Sequence, residues 1–346
     1  MGSVVGFVRL GPSFLLFIML NVVGVIMVVF SGGLFGAYVG FECSFVGMMG
    51  ILSGVSAEEN EGCMKYFVFQ ALGSVFLLLG FIGVICSKPV DMGIMFSIIG
   101  LCLKAGFFPF FYWVPSVLSY CSWFGCFMVV VWQKIAPMCF LAKWGVSYGF
   151  IDLMSGIACL TAFVGGVGGI GSTYYRSLLG YSSLVHSGWM ILSSLVGLSV
   201  VVFYLVVYSI ISGGLMYRMY SCKVMCLEDF CNMSYYNYFG FYIIFIDFVS
   251  LAGLPGLPGF LPKCVTVFMI GGDHGLSLVF LLFSSALSLF YYLKVGAVGA
   301  IGSGVNHYLI FNSDRWSSMS GSGYLKWNVL FYMICLAVLI GFMVSC

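Results

Sequence analysis

The sequence predicts an all-α, polytopic membrane bundle of about eleven spanning helices, and three observations carry that expectation. Only 7% of the side chains are charged while 62% are hydrophobic, and the mean hydropathy is +1.14. A water-facing surface needs about a quarter of its residues charged, so a soluble fold is excluded. Apolar runs of about 20 residues, the length of a bilayer-crossing helix, recur from end to end of the 346 residues. Finally, Pro and Gly interrupt two of these runs, which predicts discontinuous helices near Pro109 and across Pro255, Pro258 and Pro262. Nucleic-acid binding is excluded as well, because the net charge is +2 and the basic residues are scattered.

In chain order, the first two spans lie near 13–30 and 34–53. A polar loop with Glu58, Glu59 and Glu61 leads to a third near 66–86, and Lys88-Pro89 makes the next turn. The fourth covers 92–113, the fifth 122–144 and the sixth 151–170, while 177–220 divides into a seventh and an eighth. A polar loop over 221–237 follows, and its sequon Asn232-Met233-Ser234 reads as accidental. The ninth span covers 239–270 and the tenth 276–295. A Ser/Gly/Asn-rich connection over 302–326 then leads to the last, 327–344. No cleavable signal is expected, since the first apolar stretch runs through Phe30 without a small-residue cleavage site. Lys and Arg are too evenly spread to set an orientation.

The interruptions fall in the fourth span and in the ninth, the fourth of a second set of five. That placement predicts two inverted five-helix repeats, about 10–145 and 148–297, followed by a loop and last helix over 298–346, all within one transmembrane domain, 1–346.

Composition carries a second message. Thr occurs only at Thr161, Thr173 and Thr266, Gln only at Gln70 and Gln133, and His only at His186, His274 and His307, against 46 Gly, 35 Phe and 14 Cys. The scarce residues need A or C in their codons and the abundant ones are written largely in G and T, so a strand-biased mitochondrial gene is expected; a nuclear chromosomal location would contradict it. No cysteine pair forms C-x-x-C, and Cys222, Cys226 and Cys231 have no neighbouring His to complete a zinc set. The cysteines therefore read as small hydrophobes, with no metal expected. Gly166, Gly168 and Gly171 match G-x-G-x-x-G but end an apolar helix with no preceding strand, which points to close helix packing rather than a nucleotide site.

Within so apolar a chain, an ionisable group inside a span costs a few kcal/mol or more unless it faces protein or water. Four stand out: Glu42 in the second span, Lys104 before Pro109, Lys134 before Pro137, and Lys263 after Pro262. In a helix, Pro109 would leave the Ala105 carbonyl without an amide partner, and Pro137 would do the same to Gln133. Irregular backbone at membrane depth has to be buried in protein or line a water-filled cavity, so these sites are expected to be hydrated. Burial disfavours an ammonium and a nearby carboxylate favours it. A lysine whose partner approaches and withdraws can therefore bind and release a proton. Glu42 is expected to be the switchable partner of Lys104, with Lys134 and Lys263 passing protons onward through water; the competing reading is a set of static ion pairs. His186 either extends the proton path or is a hydrogen-bonded structural histidine. Asp247 is a counter-charge or faces a helix end, Lys143 and Asp152 snorkel from span ends, and Trp113, Trp144 and Trp327 are interface anchors.

The run Leu103-Lys104-Ala-Gly-Phe-Phe-Pro109-Phe-Phe-Tyr-Trp113-Val-Pro115 resembles a signature of the proton-translocating antiporter-like membrane subunits. Val131-Trp-Gln-Lys134-Ile-Ala-Pro137, Gly180-Tyr-Ser-Ser-Leu-Val-His186-Ser-Gly-Trp189 and Leu251-Ala-Gly-Leu-Pro-Gly-Leu-Pro-Gly-Phe-Leu-Pro-Lys263 narrow the resemblance to the subunit-two group of NADH:ubiquinone oxidoreductase, respiratory complex I. The match keeps motif order from Glu42 to Lys263. It implies a core subunit, multi-pass in the inner mitochondrial membrane, that conducts protons through Glu42, Lys104, Lys134 and Lys263, coupled to electron transfer from NADH to ubiquinone. It also implies that this chain performs no redox chemistry and holds no cofactor. NADH, FMN, iron-sulfur clusters and ubiquinone would belong to other subunits. The implied partners are neighbouring antiporter-like and small membrane subunits, together with membrane lipids. Phe111 stands where the family usually has His, Ser116 where an acid is common, and Gly256 and Cys264 where Pro and Trp are usual. The Phe111 change argues that this position is not essential for proton transfer here. Two rival readings are a stand-alone cation/proton antiporter and a structural membrane spacer.

Overall fold

The computed structural model describes residues 11–54, 56–86, 90–145, 151–236, 238–270 and 274–305. Nearly all of them are helical, and the sole extended pairing among them is an isolated bridge between Tyr174 and Cys226. The first five crossings are α1 (Pro12–Phe30), α2 (Leu34–Leu52), α3 (Ala57–Cys86), an interrupted fourth made of α4 (Val90–Ala105) and α5 (Trp113–Tyr120), and a fifth made of α6 (Trp123–Phe127) and α7 (Gln133–Phe140). A π-helical turn, Met128–Trp132, joins α6 to α7, and a second, Leu141–Gly145, extends α7. The next five are α8 (Ile151–Ile170), α9 (Tyr175–Val196), α10 (Leu198–Ser221), an interrupted crossing of α12 (Tyr238–Ala252) and α13 (Phe260–Ile270), and α14 (Gly275–Val305). A short α11 (Leu227–Tyr236) lies between α10 and α12. The break thus recurs in the fourth member of each set.

Leu16, Phe30, Phe35, Ile85, Phe268 and Val279 are each more than half exposed, which suits an exterior solvated by lipid. Among the described residues, seven helical stretches are long and apolar enough to cross a membrane, and α4, α12 and α13 supply shorter apolar pieces. The axis of the bundle is α9, which packs against α5, α7, α8, α10, α13 and α14. It is rich in serine yet buried almost throughout. Ser182, Ser183, Ser187, Ser193 and Ser194 each donate to the carbonyl three residues earlier, so their hydroxyls enter the core already partnered.

Several sequence expectations change. Glu58, Glu59 and Glu61 lie not in a loop but in the first turns of α3, where acidic side chains complement the positive end of the helix dipole. The stretch 221–237 contains α11, and the Asp229 carboxylate accepts the Met225 and Cys226 amides in the turn that starts it. The fourth crossing, broken after Ala105, resumes as α5 and runs to Tyr120, past its expected end at 113, and α14 runs on to Val305 into the expected connection. The Lys88-Pro89 turn, the rest of that connection, Trp327 and the last span lie outside the described residues, as do the side chains of the sequon.

Close backbone approach holds both pairs of the first set together. A Cβ on Gly24 would lie 2.3 Å from the Ser44 amide nitrogen across the α1–α2 contact, and one on Gly80 would lie 2.5 Å from that of Ser97 across α3–α4. In the second set, a Cβ on Gly168 would strike the Tyr181 ring and one on Gly166 would press on Leu287, while Gly171 has open space. Since a methyl added where backbone blocks it forces helices apart, Gly80→Ala should lower stability by about 1–3 kcal/mol. Gly156→Ala, on an exposed face of α8 with nothing within 4 Å of the new Cβ, should cause no loss. Thermal unfolding of the two purified variants checks the contrast.

Candidate functional site

The end of α4 is a helix C-terminus inside the bundle, and its carbonyls are capped by protein. Gly106 takes φ +72°, a conformation glycine adopts without strain, and the Phe107 amide turns back to the Cys102 carbonyl at 2.9 Å, as in a Schellman cap. The Leu103 carbonyl accepts the Trp113 indole N–H at 3.1 Å, and the Lys104 carbonyl accepts the Gln70 side-chain amide at 2.9 Å. Trp113 is therefore buried and caps a helix; it is not an interface anchor. The carbonyls of Cys102, Leu103 and Lys104 are thus all bonded to protein. The Lys104 side chain leaves this last turn, packs over the Phe41 ring and places Nζ 2.9 Å from Glu42 Oε1 on α2. Lys104 is 4% exposed and Glu42 30%, so one partner is dry and the other reaches the edge of the bundle.

Lys134 is the second residue of α7, just after the π turn, a feature that re-aims side chains and is frequent at functional sites. Its Nζ crosses to α9 and donates to the Ser183 carbonyl at 2.5 Å. The preceding Gln133 donates to the Ser44 carbonyl, which also accepts from Asn21, tying α7 to the Glu42 helix. At the second break, Lys263 reaches back from α13 and donates to the carbonyl of Ala252, the last residue of α12, at 2.6 Å. Gly253, at φ +84°, makes room, since a Cβ there would lie 2.7 Å from Lys263 Nζ. Lys263 also lies 6.0 Å from the centroid of the Trp189 ring on α9.

His186, also on α9, is within electrostatic reach of both lysines. Glu42 and Lys104 thus meet directly, whereas Lys134, His186 and Lys263 are drawn together around α9. Lys143, exposed at the end of its span, donates to the Val29 and Ser31 carbonyls at the end of α1.

The sequence reading missed Arg218. It is buried on α10 and paired with Asp247 on α12, which makes Asp247 a counter-charge, of the two readings the sequence left open. A polar residue at the end of a long apolar run looks like an interfacial one, and only the α10–α12 contact reveals the pair. Gln70 was the other available signal, as one of two glutamines in the chain.

The family model described as NADH:quinone oxidoreductase/Mrp antiporter, TM, matches residues 31–288. NADH-ubiquinone oxidoreductase chain 2 of Mytilus edulis is 35% identical over 59% of this chain and 62% of that protein. The chain 2 protein of Lumbricus terrestris is 30% identical over 69% of this chain and 72% of that protein. Among solved structures, a chain of respiratory complex I from Thermus thermophilus with bound aureothin superposes with a TM-score of 0.74 at 24% identity, covering 86% of this chain and 73% of that one.

The buried ion pair yields a stability prediction. Arg218→Met leaves the Asp247 carboxylate buried without its cation, which should cost about 3–5 kcal/mol. Removing both charges together, as Arg218→Met with Asp247→Leu, should cost much less. The yield and thermal unfolding of the two variants measure the difference.

Proposed function

This chain belongs to the NADH:quinone oxidoreductase/Mrp antiporter family, within its NADH-ubiquinone oxidoreductase chain 2 group, and is a multi-pass membrane subunit; from that premise we propose that it conducts protons across the membrane through Glu42, Lys104, Lys134 and Lys263 as part of respiratory complex I. The observation that carries this reading is the Glu42–Lys104 contact at the buried end of α4. A lysine ammonium in a low-dielectric interior is stable beside a carboxylate and unstable without it. Closing the pair therefore holds a proton on Lys104, and opening it drives the proton off. Lys134 and Lys263 are held differently, by backbone carbonyls. A carbonyl accepts an N–H from an ammonium or from a neutral amine alike, so the contact fixes the side chain in either protonation state. One lysine gated by a movable charge and two held in either state make a coherent relay.

We assign NADH oxidation, ubiquinone reduction and their redox groups to partner subunits, and the neighbouring membrane subunits to the chain's lateral contacts. The animal relatives and the codon skew support an inner mitochondrial membrane location.

In the assembled complex, Lys104→Met or Lys263→Met should lower the number of protons ejected per NADH oxidised, and Glu42→Gln should do the same. Unchanged proton output with all three variants would remove the relay. Reduced assembly with unchanged output per NADH would favour a structural spacer, and proton transport by the isolated chain a stand-alone antiporter.

A further inference from the structure

The His186 ring has two polar neighbours besides the lysines, and they differ in kind. Nδ1 lies 3.0 Å from the Tyr204 hydroxyl on α10, and the backbone carbonyl of Leu251, on the last turn of α12, also faces the ring. Both side chains are nearly inaccessible, His186 at 5% and Tyr204 at 1% exposure, and the Tyr208 ring packs on the imidazole at 4.7 Å between centroids. A carbonyl can only accept a hydrogen bond, whereas a phenol can donate or accept.

We propose that Tyr204 is the hydroxyl switch of His186 within the relay: the orientation of the Tyr204 hydroxyl decides whether Nδ1 can take a proton. While the hydroxyl donates to Nδ1, the imidazole is neutral and its lone pair is occupied. When a proton adds at Nδ1, the hydroxyl turns its hydrogen away and accepts from the new N–H; losing that proton reverses both changes. No other bond forms or breaks, and one proton moves each way. Tyr204 therefore both positions the ring and controls its charge, on a histidine within electrostatic reach of Lys134 and Lys263. This inference rests on the proton-conducting reading above.

Tyr204→Phe deletes one oxygen and keeps the ring, so the test is a double-mutant cycle on the assembled complex, read as protons ejected per NADH oxidised. Tyr204→Phe and His186→Gln should each lower that ratio, and the double variant should lower it no further than His186→Gln alone, because residues acting through one contact are not additive. Tyr66→Phe, another buried tyrosine on α3, serves as the control for loss of a hydroxyl. Full output from Tyr204→Phe overturns the proposal, as do losses that add in the double variant. Failure of Tyr204→Phe to assemble where Tyr66→Phe assembles would make the contact structural and also overturn it. Full output from His186→Gln, with Lys134→Met impaired, overturns the switch but leaves the relay standing. If Lys104→Met, Lys134→Met and Lys263→Met all retain full output, the relay itself falls and the switch with it.

Discussion

A backbone carbonyl at membrane depth has no bulk water to bond, so a helix that stops there must have its end capped by the protein. That constraint organises this chain. The end of α4 is closed by the Phe107 amide, the Trp113 indole and the Gln70 amide. The end of α12 is closed differently, by the side-chain nitrogen of Lys263 reaching back from α13. Each broken helix thus brings a lysine to the break, in one case on the helix that ends and in the other on the helix that begins. A cation is favourable beside a helix C-terminus, so both lysines sit where an ammonium has support and still lie in a dry core.

The three lysines are held in two different ways. Glu42 is an ionic partner on a separate helix and partly exposed, so its contribution to Lys104 depends on geometry that can change. Ser183 and Ala252 offer fixed carbonyl dipoles, and their contribution persists whichever form the lysine takes. The serine-rich α9 serves as common wall to Lys134, His186 and Lys263, and it can be buried because its hydroxyls bond to its own backbone. Arg218 and Asp247 stand apart as a closed pair joining α10 to the first half of the broken crossing.

Much of this was legible in the sequence because charge is scarce in it. Glu42, Lys104, Lys134 and Lys263 were conspicuous against an apolar background, and the Pro/Gly runs beside them marked the interruptions. What stayed hidden depends on register between segments far apart. Trp113 resembles an interface anchor by its place at a span margin, and only the return of the chain after Gly106 turns its indole onto Leu103. Arg218 and Asp247 are 29 residues apart, and neither signals the other until α10 and α12 lie side by side. The pairing of Tyr204 with His186 is hidden for the same reason, since tyrosine is common in the chain and only helix packing selects this one. The helical nature of α11 was masked by its polar composition, which reads as a loop when a membrane helix is the standard.

The central claim is that the Glu42–Lys104 pair opens and closes while the other two lysines remain held and connected by water. Cryo-electron microscopy of the assembled complex at rest and during turnover, at a resolution that shows ordered water, measures this directly. The expected result is a Glu42–Lys104 contact near 2.9 Å in one state, a separated pair in another, and ordered water linking Lys104, Lys134 and Lys263. A pair closed in every state, with no water between the three lysines, would contradict it.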